Sequence, residues 1–188
     1  ILTRDELRAC FKDEEAIRNR LTEHEAARAP LDQDKASITA EQKTLAELRV
    51  PVDEAKKKAE DFTARLKAYG ARVESWNQRV TAHNDEKRQG PQWERQGKEL
   101  AAERTAIEKE RADFEVEKNT LQASSDEAVR NFNNKAQALE VRINDCNQRN
   151  GKWNEASAAI ESDRKAWVAA CADRRYREED EQAIRRGK

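Results

Sequence analysis

The chain has 188 residues, 40% of them charged and 36% hydrophobic, with five glycines, three prolines and no methionine. Soluble domains of this length carry about 25% charged residues, so a wide globular core is excluded. Lys and Arg number 37 against 38 for Asp and Glu, and the two signs are interspersed, which leaves no basic stripe for a phosphate backbone and argues against nucleic acid as a partner.

The abundant residues, Ala, Glu, Lys, Arg, Gln and Leu, are strong helix formers, and β-branched and aromatic residues are scarce, which predicts an all-α chain of long helices. No window approaches the ~20 apolar residues of a membrane span, so no membrane insertion is expected. The chain opens at Ile1 without a basic or apolar leader. That start suggests a processed or trimmed chain, which a removed signal peptide fits.

Near the start, Leu7, Cys10, Glu14, Ile17 and Leu21 alternate steps of three and four. This is a seam, a stripe that faces a partner helix. A break is expected near Pro30, and Pro51-Val52-Asp53-Glu54 reads as the first turn of a new helix. From Val52 through Ala55, Ala59, Phe62, Leu66, Tyr69, Val73, Trp76 and Val80 to His83 the seam is uninterrupted. Gly90-Pro91 follows as a stop and restart: Gly90 supplies a left-handed helix end, and Pro91 begins a helix without needing an amide donor.

Beyond it, Trp93, Leu100, Ile107, Phe114 and Leu121 fill one core position per heptad, while Gly97, Arg104, Arg111 and Lys118 take the other. Ser124-Ser125-Asp126-Glu127 contains a Ser-x-x-Glu capping box, a second soft level opposite Pro51. The seam resumes at Phe132 and runs through Leu139, Ile143, Cys146, Trp153, Ile160 and Trp167 to Cys171, crossing a stop or turn signal at Asn150-Gly151. Arg174-Arg175-Tyr176-Arg177 and the acids after it read as a solvated helix end, or alternatively as a docking handle.

Cys10 lies 80 residues before Gly90, and Cys171 lies 80 residues after Pro91. If that dipeptide is the turn of an antiparallel hairpin, facing residues have numbers adding to about 181, which brings the two thiols together and sets Pro30 opposite Gly151. The expected architecture is therefore a long antiparallel helical hairpin of coiled-coil type, one elongated domain over 1–188. Residues 1–89 form the ascending arm, 90–91 the turn, 92–180 the descending arm and 181–188 an overhanging tail. A compact four- or five-helix bundle, cornered at Pro30 and Pro51, is the alternative; it needs roughly three apolar positions in seven, and most of these seams supply two.

A Cys10–Cys171 disulfide is the expected consequence, and it implies an oxidising compartment. Cys146 is left as an odd thiol, read as a small core residue; self-association through it is the other reading. His24 and His83 are the only histidines and form no metal spacing with the cysteines. No phosphate loop, nucleophile elbow or His-Glu metal motif is present, so neither an enzyme nor a cofactor is expected. At the tip His83, Asn84, Arg88, Gln89 and Trp93 form a candidate interaction site, with a large aromatic as its anchor; the competing reading folds Trp93 back as the last core residue. Aromatic-Asn steps recur at Trp76-Asn77, Phe132-Asn133 and Trp153-Asn154 and are read as register-setting.

The ending from Cys171 to Arg185, the opening Leu2-Thr-Arg-Asp-Glu-Leu-Arg-Ala-Cys10 and the aromatic-Asn repeats together resemble a group of uncharacterised coiled-coil proteins of proteobacteria. That resemblance implies a Gram-negative origin and a periplasmic address, and it supplies no activity. The expected function is a non-enzymatic spacer or docking rod for another protein. The alternative is a helical-bundle carrier of a small ligand or metal, with Trp76, Trp153, Trp167 and the histidines lining a pocket.

Overall fold

The computed structural model describes residues 1–87 and 90–187. It is an all-helical hairpin, with no strand among the described residues. Helix α1 spans Arg4–Ala26, α2 Arg28–Asp85, α3 Pro91–Trp167 and α4 Glu178–Arg185; a π-helical turn, Val168–Ala172, extends α3. The chain divides into two compact units, Ile1–Gln42 with Ala138–Lys188, and Lys43–Gln137.

In the first unit α1 and the start of α2 pair with the last third of α3. Thr3 opens α1 with a complete capping box: its hydroxyl accepts the Glu6 amide, and the Glu6 carboxylate accepts the Thr3 amide at 2.8 Å. The Thr3 hydrogen bonds hold the Glu6 carboxyl below its ordinary range. The helix stops at Ala26 because Pro30 has no amide to give the Ala26 carbonyl, and Pro is tolerated only in the first turn of the helix that follows.

The facing arm does not stop. Gly151 lies inside α3, where a cost of about 1 kcal/mol relative to Ala is absorbed; Lys35 reaches Asn150 Oδ1 at 2.9 Å, and Trp153 grips α1 just beyond. The expected paired break at Pro30 and Gly151 is thus a break in one arm only.

Asp34 sits between Arg142 and Arg149, and Arg142 also pairs with Glu41. The Arg149 hydrogen bond, then that of Arg142, hold the Asp34 carboxyl below its ordinary 3.8. A carboxylate with a depressed folded-state pKa stabilises the fold above its unfolded value and loses that contribution as pH falls through the folded one. Acid unfolding followed by circular dichroism should accordingly show a component below about pH 4 that Asp34→Asn removes.

In the second unit α2 and α3 pair on either side of the reversal. Phe114 is buried, with Phe62 and Tyr69 edge-on to it at centroid distances of 5.6 and 5.3 Å. Three cross-arm ion pairs repeat at heptad spacing, Arg65 with Glu117, Arg72 with Glu110 and Arg79 with Glu103. They form a ladder that fixes register although each rung is solvent-exposed and individually weak.

Three expectations fail in this unit. Pro51 does not start a helix: α2 runs through it, with the proline on an exposed face where water can solvate the Glu47 carbonyl it leaves unpaired. Ser124 caps nothing, since α3 passes through it and its hydroxyl back-bonds to the Leu121 carbonyl at 3.0 Å. Nor does Gly90 adopt a left-handed conformation; among the described residues only Gly187 does. Helix α2 already ends at Asp85, and the Gly90 carbonyl accepts the Glu94 amide at 3.0 Å, which makes Gly90 the N-cap and Pro91 the first residue of α3. The reversal therefore lies between the end of α2 at Asp85 and the start of α3 at Pro91.

Candidate functional site

Cys10 and Cys171 are joined, with their Cα atoms 5.9 Å apart, and Cys146 is a buried free thiol. The bridge belongs to an apolar end cluster in which Leu2, Leu7 and Cys10 are buried and Phe11, Cys171 and Ile184 pack against them. Ile184 comes from α4, so the C-terminal segment does not overhang. It turns back and packs on α1, with Arg4 bonded to Asp180 at 2.8 Å and Arg185 over the Phe11 ring.

Arg174, Arg175, Tyr176 and Arg177 are not a helix end either. They form the exposed link between the π turn and α4, where the Arg175 carbonyl accepts the Leu2 amide at 2.7 Å. The Tyr176 hydroxyl donates to Glu181, and this bond to the neutral phenol raises its pKa above the ordinary value.

At the tip, His83 is only 8% exposed and Trp93 folds inward against it. Their rings stack at 4.4 Å, and the indole N–H donates to the His83 carbonyl at 3.1 Å. A Cβ on Gly97 would come 3.1 Å from His83 Nε2, so a residue without a side chain is what lets the imidazole sit there. Asn84 is exposed; Arg88 and Gln89 lie outside the described residues. Of the five residues proposed for the tip, then, two are spent on each other.

The same module occurs a second time. His24 stacks on Trp153 at 4.2 Å, and the Trp153 indole donates to the His24 carbonyl at 3.0 Å. His24 Nε2 lies 3.0 Å from the Trp153 carbonyl, and because a carbonyl only accepts, that nitrogen carries the proton. His24 and His83 are each the third residue from the end of their helix. Their carbonyls belong to a last turn whose acceptors lack intrahelical donors, and a tryptophan from the facing arm supplies one.

Trp76 and Trp167 make the equivalent bond to carbonyls within a helix, those of Leu100 at 3.0 Å and Cys10 at 2.9 Å; Tyr69 does so to Ile107. All four tryptophans in the chain thus donate to a carbonyl of the opposite arm.

Two open grooves flank the α1 break, with volumes of about 580 and 510 Å³ and with His24 and Ile160 common to both; the first is lined by Glu161, Arg164 and Lys165 as well as Leu21, and the second is the more apolar. Trp153 lines the second; Trp167 lines a third groove, of about 430 Å³, while Trp76 lies in the other unit. The aromatics expected to share one pocket are therefore dispersed. Among the described residues no group of His, Cys, Asp and Glu is placed to hold a metal ion, and no helix is long and apolar enough to cross a membrane. No family model, curated protein or solved structure matches the chain.

Proposed function

We propose that this protein is a non-enzymatic spacer or docking module of coiled-coil type, exported to the periplasm of a Gram-negative bacterium and engaging another protein through its ends. One observation carries the reading. Both histidines and all four tryptophans, the side chains best suited to binding or chemistry, are engaged in contacts between the two arms. The disulfide agrees with an oxidising compartment. A sequence that invests its aromatic groups in register is built to hold a surface in place.

The second reading, a carrier of a small ligand, is favoured by the grooves on either side of His24. A photoreactive residue at Asn84 or at Tyr176, both exposed, separates the two in envelope extract. The docking reading expects one dominant protein adduct from one of the two positions. No protein adduct from either, together with a small molecule retained in native mass spectra of the purified protein, would replace it with the carrier.

A further inference from the structure

We propose that the Cys10–Cys171 disulfide is a redox latch on the C-terminal helix: its reduction releases the segment 173–187 from α1 while the two arms stay paired. The inference does not depend on the function proposed above.

It starts from how little else holds α4. The helix has eight residues and no side-chain cap at its N-terminus, and isolated helices shorter than about 12–15 residues are marginal in water. Four acids in its first turn suit the helix dipole, but they supply no apolar anchor. Ile184 alone enters the end cluster, assisted by the Arg4–Asp180 pair, which is partly exposed, by Arg185 over Phe11 and, in the link before the helix, by the Leu2 amide bonded to the Arg175 carbonyl.

The bridge stands where the chain leaves α3. Trp167, bonded to the Cys10 carbonyl, is the last α-helical residue, and the next five form a π turn that contains Cys171. π turns are rare and occur mostly as single turns within α-helices, and Val168 within this one is half exposed. The wider turn carries Cys171 to Cys10 and sends the following residues back toward α1. Once the crosslink is broken, relaxation of the turn toward α-helical geometry would rotate everything after it.

Cys171 is the more accessible partner; Cys10 is 8% exposed. A dithiol reductant attacks the Cys171 sulfur, the S–S bond breaks with Cys10 leaving as thiolate, and the second thiol of the reductant resolves the mixed disulfide. The protein gains two electrons and two protons, and the dithiol becomes a disulfide. Arm pairing does not rely on the bridge. The Trp167 bond to Cys10, the Arg20–Asp163 pair and the Trp153 grip on His24 all lie on the α3 side of the π turn.

Amide exchange read by mass spectrometry tests this on the full chain, comparing oxidised protein, protein reduced with dithiothreitol, and Cys10→Ser/Cys171→Ser. The latch expects exchange over 178–185 at least about tenfold faster in both reduced forms, with 12–24 and 153–165 within about twofold of the oxidised rate. Unchanged protection of 178–185 would overturn it, because α4 would then be held by packing alone. Equal acceleration in all three segments would overturn it as well, because the bridge would then be holding the arms and not α4.

Discussion

Trp153→Ala should be among the most damaging single substitutions in the chain, costing about 3 kcal/mol, toward the low end for a large aromatic because the ring is only partly buried. Three contacts are lost together: the stack on His24, the guanidinium of Arg28 over the indole at 4.9 Å, and the donor for the His24 carbonyl. Trp153→Phe retains a ring and removes the N–H, so it isolates the last of these. A cost of about 1 kcal/mol is expected for it, the value of leaving one partly buried acceptor unpaired. Urea unfolding followed by circular dichroism measures both. If Phe and Ala prove equally harmful the indole N–H is the main contribution; if Phe is silent, the capping role assigned to Trp153 is wrong.

The second large effect is expected at Leu7, which is 2% exposed and lies at the centre of the end cluster. Leu7→Ala should cost about 3 kcal/mol, from lost burial and the cavity left between α1, the π turn and α4. Leu7→Met, which conserves volume, should cost less than about 1.5 kcal/mol. Because the disulfide restrains two walls of this cavity, little collapse is available to soften the Ala variant. The comparison belongs in oxidised protein, where a Met variant as damaged as Ala would show that the cluster is not packed as described.

Much of this architecture was legible in the residues because a heptad seam is a one-dimensional signal. Steps of three and four mark the facing stripe, and two cysteines equidistant from a reversal can only be brought together by an antiparallel pairing. The rungs Arg65–Glu117, Arg72–Glu110 and Arg79–Glu103 each have numbers adding to 182, within one of the value that pairs Cys10 with Cys171.

Local stop signals were less informative. Pro51, Gly151 and Ser124 each carry the chemistry of a helix boundary, yet α2 and α3 run through them. Continuous pairing along both arms outweighs a cost of about 1 kcal/mol for a glycine and somewhat more for a solvated proline. Pro30 did mark a boundary, and what distinguishes it is the tryptophan opposite, which caps the interrupted helix.

The His–Trp modules were not legible at all. A seam pattern puts His83, Trp93 and Trp153 on facing stripes, but does not say which indole finds which carbonyl. The only trace was positional: each histidine is followed within a few residues by a break, at Ala27 and after Asp85. The return of α4 was invisible for another reason. Counting outward from a turn assumes that both arms continue straight, and a single π turn at Val168–Ala172 ends that assumption.

The pairing register itself is tested most directly by peptide mapping of unreduced protein prepared from an oxidising compartment, with alkylation of free thiols before digestion. The account predicts one crosslinked species joining the Cys10 and Cys171 peptides, with Cys146 alkylated only after unfolding, as its burial requires. A crosslink from either terminal cysteine to Cys146, or three free thiols, would contradict it.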